Sequence, residues 1–235
     1  MSITTVLFDL DGTLLPMDQE TFIKAYFGGL ARKLVPHGYD KDALLHAIWE
    51  GTRAMVANRG EKNNEAVFWD TFTALMGERT AKDIVLFDEF YANDFCHVQK
   101  ACGYDPRAQR VVKRLKEKGL RVSLATNPLF PATATEQRIS WTGLSHKDFE
   151  LVTTYENSYH CKPNPQYYTD VFNTLGVTAE ECLMVGNDVG EDMITREMGA
   201  KVFLLTDCLI NKEKKDISVY PHGGFEELLQ FIEQL

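Results

Sequence analysis

The stretch Val6-Leu7-Phe8-Asp9-Leu10-Asp11-Gly12-Thr13 constrains this chain more than any other. A short apolar run reads as a buried strand. It stops at two acids and a glycine, which puts both carboxylates at the strand's end. In open α/β sheets that is where ligands bind. Two carboxylates one residue apart cannot both be buried as unpaired anions, so they need a cation, hydrogen-bond donors or a shared proton. Taken alone, the same residues are equally well explained as a solvated strand-to-turn junction.

The rest of the chain must decide between these readings. With 235 residues it is long enough to bury a good core, as one domain or two small ones. A net charge of -9 disfavours nucleic acid or an anionic membrane as partners, so a phosphate would have to be met by locally placed cations. Five cysteines with no CxxC pair suggest no disulfide framework and fit a reducing cytoplasm. No basic and apolar leader opens the sequence and no run of about 18 apolar residues interrupts it, so a cytoplasmic protein without a membrane span is expected.

Between Pro16 and Cys102 the pattern is helical throughout. Asp18 is placed to cap a helix carrying Phe22, Tyr26, Leu30 and Leu34 on one face, which Pro36-His37-Gly38 ends. Helices follow after Asp40, around Phe68 and Phe72, and from Ile84 to Phe95. From Asp105 onward strands and helices alternate. Strands are expected at Val122 to Ala125, Leu151 to Thr153, Cys182 to Val185 and Val202 to Leu205. Helices are expected at Arg107 to Lys118, Pro165 to Leu175, Asp188 to Met198 and Phe225 to Ile232. That order implies parallel βαβ units. The expected architecture is α/β: a Rossmann-like parallel sheet core from residues 1–15 and 103–235, with an all-helical cap domain at 16–102 inserted just after the two acids.

Three more polar clusters then fall beside the same sheet edge: Thr126-Asn127, Lys162 in the loop after the Leu151 strand, and Gly186-Asn187-Asp188 with Asp192. The ordered set Asp9-Leu10-Asp11-Gly12-Thr13, Thr126-Asn127, Lys162-Pro163 and Gly186-Asn187-Asp188 with Asp192 resembles the four motifs of the haloacid dehalogenase-like (HAD) hydrolase superfamily. The helical insert is similar to that superfamily's cap.

The resemblance implies a division of labour. Asp9 would be the nucleophile, forming an aspartyl-phosphate, since a carboxylate needs no base at neutral pH. Asp11 would protonate the leaving oxygen and then deprotonate water, helped by the like charge of Asp9, which raises its pKa. Asp9 and Asp188 would offer carboxylates, and Asp11 its backbone carbonyl, to a Mg²⁺ ion. The cation is required because three acids and a phosphate otherwise face only Lys162. The Thr126 hydroxyl and the Asn127 amide would hold phosphoryl oxygens. Lys162 would neutralise both phosphate and nucleophile, and Asp192 would orient Lys162 or a metal-bound water.

Within the superfamily, dehalogenases lack the second Asp and phosphonatases replace it with alanine. Asp11 therefore points to phosphate esters, and to hydrolysis rather than mutase chemistry because no feature protects a phosphoenzyme from water. A phosphomutase and a catalytically silent protein that keeps the fold are the alternatives. Asn187 is an extra residue before the first acid of the fourth motif, which leaves open whether Asp188 or Asp192 is the direct ligand. A small phosphorylated metabolite is the expected substrate. Arg53, Asn58, Arg59 and Lys62 are candidates to meet a second anionic group. The oligomeric state is undetermined by the sequence.

Overall fold

The computed structural model describes residues 2–235. Its centre is a five-stranded, all-parallel sheet of β1 (Thr5–Phe8), β2 (Arg121–Leu124), β3 (Cys182–Gly186), β4 (Lys201–Leu205) and β5 (His222–Gly223), in the order β2-β1-β3-β4-β5. Every residue of β1 and β3 is buried, as expected of parallel strands covered on both faces. The register sets Phe8 beside both Leu124 and Val185. Three strands therefore end level, and the chain leaves them at Asp9, Ala125 and Gly186 on one edge.

The residues between β1 and β2 form α1 (Gln19–Leu34), α2 (Lys41–Val56), α3 (Asn64–Met76) and α4 (Thr80–Glu89), then return to the sheet through α5 (Pro106–Glu117). Asp18, Asp40, Asn63 and Asp105 each cap the helix that follows by accepting a backbone N–H. The insert leaves and re-enters at one point, where Met17 bridges Cys102 and the Gly103 amide donates to the Pro16 carbonyl at 2.7 Å. Its interior is aromatic. Phe72 and Phe87 meet edge to face at 5.3 Å between centroids, and Phe95 stacks on Trp141 of α6 (Ala132–Trp141) at 5.4 Å. One apolar cluster thus runs from the cap into the core without a break.

The remaining helices are α7 (Pro165–Leu175) and α8 (Phe225–Glu233). Among the described residues no helix is long and apolar enough to cross a membrane.

Several elements differ from the sequence expectation. The fourth cap helix stops at Glu89 and continues as a π turn (Phe90–Asp94) and a 3-10 segment (Phe95–Ala101), which bring Phe90 and Phe95 inward. Leu151 to Thr153 is not a full strand. It meets β2 through a single Leu124–Val152 bridge before Thr153 turns its hydroxyl to the Thr126 carbonyl. Asp188 to Met198 is not an α-helix: Asp188 is drawn into a bridge with Ile210, the Val189 amide donates to the Ile210 carbonyl at 3.0 Å, and after a turn only a 3-10 segment, Met193–Met198, follows. α6 has no counterpart in the sequence reading, since its inward positions include Thr135 and Arg138 and give no apolar period. β5, of two residues, is too short to leave a pattern.

Burial pushes the thiols of Cys102, Cys161 and Cys182 up to about 12 from an ordinary 9.0. Between pH 9 and 12 the unfolded chain has released these protons and the folded chain has not, so unfolding becomes easier as pH rises. Urea midpoints should fall steadily above pH 9. The slope should be shallower in a Cys102→Ala, Cys161→Ala, Cys182→Ala triple variant.

Candidate active site

Asp9 follows β1 directly, its amide donating to the Val185 carbonyl at 2.9 Å. The loop beyond it is tight: the Gly12 amide donates to the Leu15 carbonyl at 2.8 Å and the Leu15 amide to the Leu10 carbonyl at 2.9 Å. Gly12 has φ of 84°, and a Cβ there would strike the Asn187 side-chain amide. Asn187 is what holds this loop to the one after β3. It accepts from the Thr13 hydroxyl at 2.9 Å and donates to the Cys208 carbonyl at 2.7 Å. The residue that departs from the usual fourth motif therefore ties three loops together.

Lys162 is the electrostatic centre. Its ammonium, with no side-chain exposure, donates to Asp9 Oδ1 at 2.9 Å and Asp192 Oδ1 at 2.6 Å. Burial alone would favour the neutral amine, but the charges of Asp192 and Asp9 outweigh it and hold the pKa well above the ordinary lysine value. Asp192 is fully spent, because its second oxygen accepts the Asp188 amide at 3.0 Å. Gly186 makes this approach possible, since a Cβ there would overlap the Asp192 carboxylate. Asp188 commits only Oδ1, to the Gly190 and Glu191 amides at 2.7 and 3.0 Å.

Asp11 has a partner that sequence reasoning missed. Arg138 of α6 is completely buried and pairs through Nη1 with Asp11 Oδ2. Its guanidinium lies 4.4 Å over the Phe130 ring and donates to Thr135 Oγ1 at 3.2 Å. Asp11 Oδ1 is buried without a hydrogen-bond partner among the described residues. Burial raises the Asp11 pKa above the ordinary value, Arg138 opposes this, and Asp9 adds to the rise. Burial is thus the larger cause, ahead of the like-charge repulsion that the sequence suggests.

Thr126 and Asn127 follow β2. The Thr126 carbonyl faces the core, accepting from Thr153 Oγ1 at 2.7 Å and Tyr167 Oη at 2.8 Å, which fixes the turn. The Asn127 side chain donates to Glu191 at 3.0 Å. Burial pushes the Glu191 carboxyl up to about 7. Asp9, Asp11, Thr126, Asn127, Lys162, Asp188 and Asp192 all line one cavity of about 870 Å³ beneath the cap.

Among the described residues no group of three or more His, Cys, Asp or Glu side chains is spaced to hold a metal ion. The site offers two carboxylates rather than three. Asp9 and Asp188 each have one oxygen committed and one without a strong partner, and the lining of this end is oxygen-rich. A hard cation that takes only part of its shell from protein and keeps waters fits such a set. The cap cations are less available than expected. Arg53 lines the cavity but pairs with Glu50 at 2.8 Å, Lys62 pairs with Asp70 at 2.7 Å, and Asn58 is buried, donating to Lys62 and Asn64. Arg59 does not line the cavity.

Removing one partner of a buried ion pair leaves an uncompensated charge, so Arg138→Met should cost about 3–5 kcal/mol of stability. Combined with Asp11→Asn it should cost clearly less than the sum of the two single changes. Urea unfolding of the three variants measures both effects.

The geometry can be set beside known proteins. A pyrophosphatase PpaX from Bacillus cereus is 28% identical over 191 residues, covering 80% of this chain and 76% of its own. The HAD-hydrolase YfnB from Bacillus subtilis, solved bound to magnesium, superposes with a TM-score of 0.59 at 20% identity over 99% of this chain and all of its own. An L-2-haloacid dehalogenase from Xanthobacter autotrophicus superposes with a TM-score of 0.52 at 17% identity over 90% and 80%. The profile of the haloacid dehalogenase-like hydrolase family matches residues 3–207, so this chain belongs to that family.

Proposed function

We propose that this hydrolase cleaves phosphate monoesters of small metabolites through an aspartyl-phosphate on Asp9, with Mg²⁺ as cofactor. The observation that carries the reading is Asp11: a second carboxyl beside Asp9 in the same cavity, its pKa raised by burial, with one oxygen held by Arg138 and the other without a partner among the described residues. A halide leaving group needs no proton and gives such a residue nothing to do. An alkoxide does need one. The pyrophosphatase among the relatives supports a phosphorus substrate, and magnesium in YfnB supports the choice of cation.

In this reading the Asp9 and Asp188 carboxylates and the Asp11 backbone carbonyl would hold the metal, which would supply positive charge opposite the phosphate. Asp188 is the direct ligand because both oxygens of Asp192 are already occupied. Thr126 by its hydroxyl and Asn127 by its backbone N–H hold the phosphoryl oxygens. Asp9 attacks phosphorus while the ester oxygen leaves, taking the Asp11 proton. Asp11, now a carboxylate, removes a proton from water. The hydroxide so formed attacks phosphorus, phosphate departs and Asp9 is restored. Lys162 keeps the Asp9 carboxylate in place, and Asp192 keeps Lys162 in place. Five free thiols suit a reducing cytoplasm.

Purified protein should hydrolyse an aryl phosphate with Mg²⁺ and stop with chelator. Asp9→Asn should abolish turnover, and Asp11→Asn should lower kcat by about 10²–10⁴ with little change in KM. A folded, Mg²⁺-loaded enzyme inert toward every phosphate ester and unable to trap beryllium fluoride would sink the proposal.

A further inference from the structure

The cavity is far larger than a phosphoryl group, and its wall changes character away from the sheet edge. Beyond the polar floor it is built from Met17, Phe22, Ile23, Trp49, Leu129 and Phe130. Its charges are also unbalanced. Six acids line it, against the cations Lys162, Arg53 and Lys212. Lys162 is held by Asp9 and Asp192, and Arg53 by Glu50. Among the described residues only Lys212 of the three has no carboxylate partner. With those pairs set aside, Lys212 is the cation of this lining left to meet a leaving group that is itself an anion, such as a second phosphate or a carboxylate.

A second cavity of about 120 Å³ adjoins the first, sharing Ile23, Trp49, Thr52, Leu129 and Phe130 as walls. Its remaining lining is mostly aromatic, from α1, α3, α4, the π turn and Tyr155 of the core, with Ile48 of α2 and Pro131. Few polar atoms face it: the Tyr155 hydroxyl, the Trp49 and Trp69 ring N–H groups, and three hydroxyls that are already engaged. Tyr26 and Tyr91 join their hydroxyls at 2.7 Å, and the Thr52 hydroxyl donates to the Ile48 carbonyl at 2.9 Å. A polyol placed here would lose its water and find few partners for its hydroxyls. An apolar ring would lose nothing. Dry apolar cavities of roughly this size, about 150 Å³, are known to take up benzene.

We propose that the alcohol released by this enzyme is uncharged and carries an apolar ring or chain, which lies against Ile23, Trp49 and Phe130 and enters the aromatic recess. The inference rests on the phosphatase reading above. It sets the substrate apart from pyrophosphate, sugar phosphates and phosphorylated acids.

The test compares esters whose leaving alkoxides are alike: phenethyl phosphate against ethyl phosphate, with glycerol phosphate and pyrophosphate alongside, all with Mg²⁺. The wild-type enzyme should favour phenethyl phosphate in kcat/KM by at least about tenfold. Thr52→Phe, which fills the wall shared by the two cavities, should bring the phenethyl-to-ethyl ratio close to one. Ile23→Trp is the substitute if circular dichroism shows that variant unfolded. Calorimetry on Asp9→Asn protein gives a readout free of chemistry, and phenethylphosphonate should bind at least about tenfold tighter than ethylphosphonate. Equal or faster turnover of ethyl phosphate, glycerol phosphate or pyrophosphate overturns the inference and leaves the phosphatase reading standing. Tight phenethylphosphonate binding with no turnover of any ester supports the recess and overturns the phosphatase reading. Neither turnover nor selective binding overturns both.

Discussion

A fully buried ammonium between two carboxylates organises this molecule. Lys162 comes from one loop, Asp9 from the end of β1 and Asp192 from the segment after β3, so a single charge cluster fixes three chain segments. Such a cluster costs several kcal/mol in desolvation for each ion, and excellent geometry with further hydrogen bonds must offset it. Here Asp192 spends its other oxygen on the Asp188 amide, and Tyr168 donates to the Glu191 carbonyl at 2.8 Å beside it. The cluster holds one oxygen of Asp9 and leaves the other with only the Thr13 hydroxyl, at 3.3 Å. That is the state in which a carboxylate can act on a substrate.

The sheet makes this convergence possible. Because Phe8 lies level with Leu124 and Val185, the acids, the Thr126 turn and the Asp188 turn leave the sheet at the same height. A one-residue slip would move every side chain to the opposite face of the sheet, and with both faces packed each would meet the wrong neighbours. Asn187 then fastens the Gly12 turn to the Asp188 turn, holding in place two loops that the strands bring near each other.

Much of this was legible in the sequence. Continuous apolar runs marked β1, β3 and β4, a capping residue marked the start of α1, and the ordered polar clusters marked the rim of the cavity. The parts that were not legible share a physical cause. Arg138 sits on a helix whose buried face contains threonine and arginine, and no rule of periodicity sends an arginine inward. Its burial depends on Asp11, 127 residues away in the chain, and on the Phe130 ring. Asp188 to Met198 contains helix-forming residues, yet its start is held in a bridge to Ile210, far along the chain. The aromatic recess likewise required knowing which faces of α1, α2 and α3 meet.

The unbroken aromatic cluster between cap and core also bears on how such a protein diversifies. Helical inserts are often imagined as exchangeable modules that can be traded to change substrate range. In this chain Phe95 stacks on Trp141, and the lining of the recess is shared by helices of the insert and by Leu129, Phe130 and Tyr155 of the core. A foreign insert would have to reproduce that surface or leave it exposed to water. New specificities in this lineage are therefore more accessible by changing single side chains around an inherited seam than by recombining whole domains.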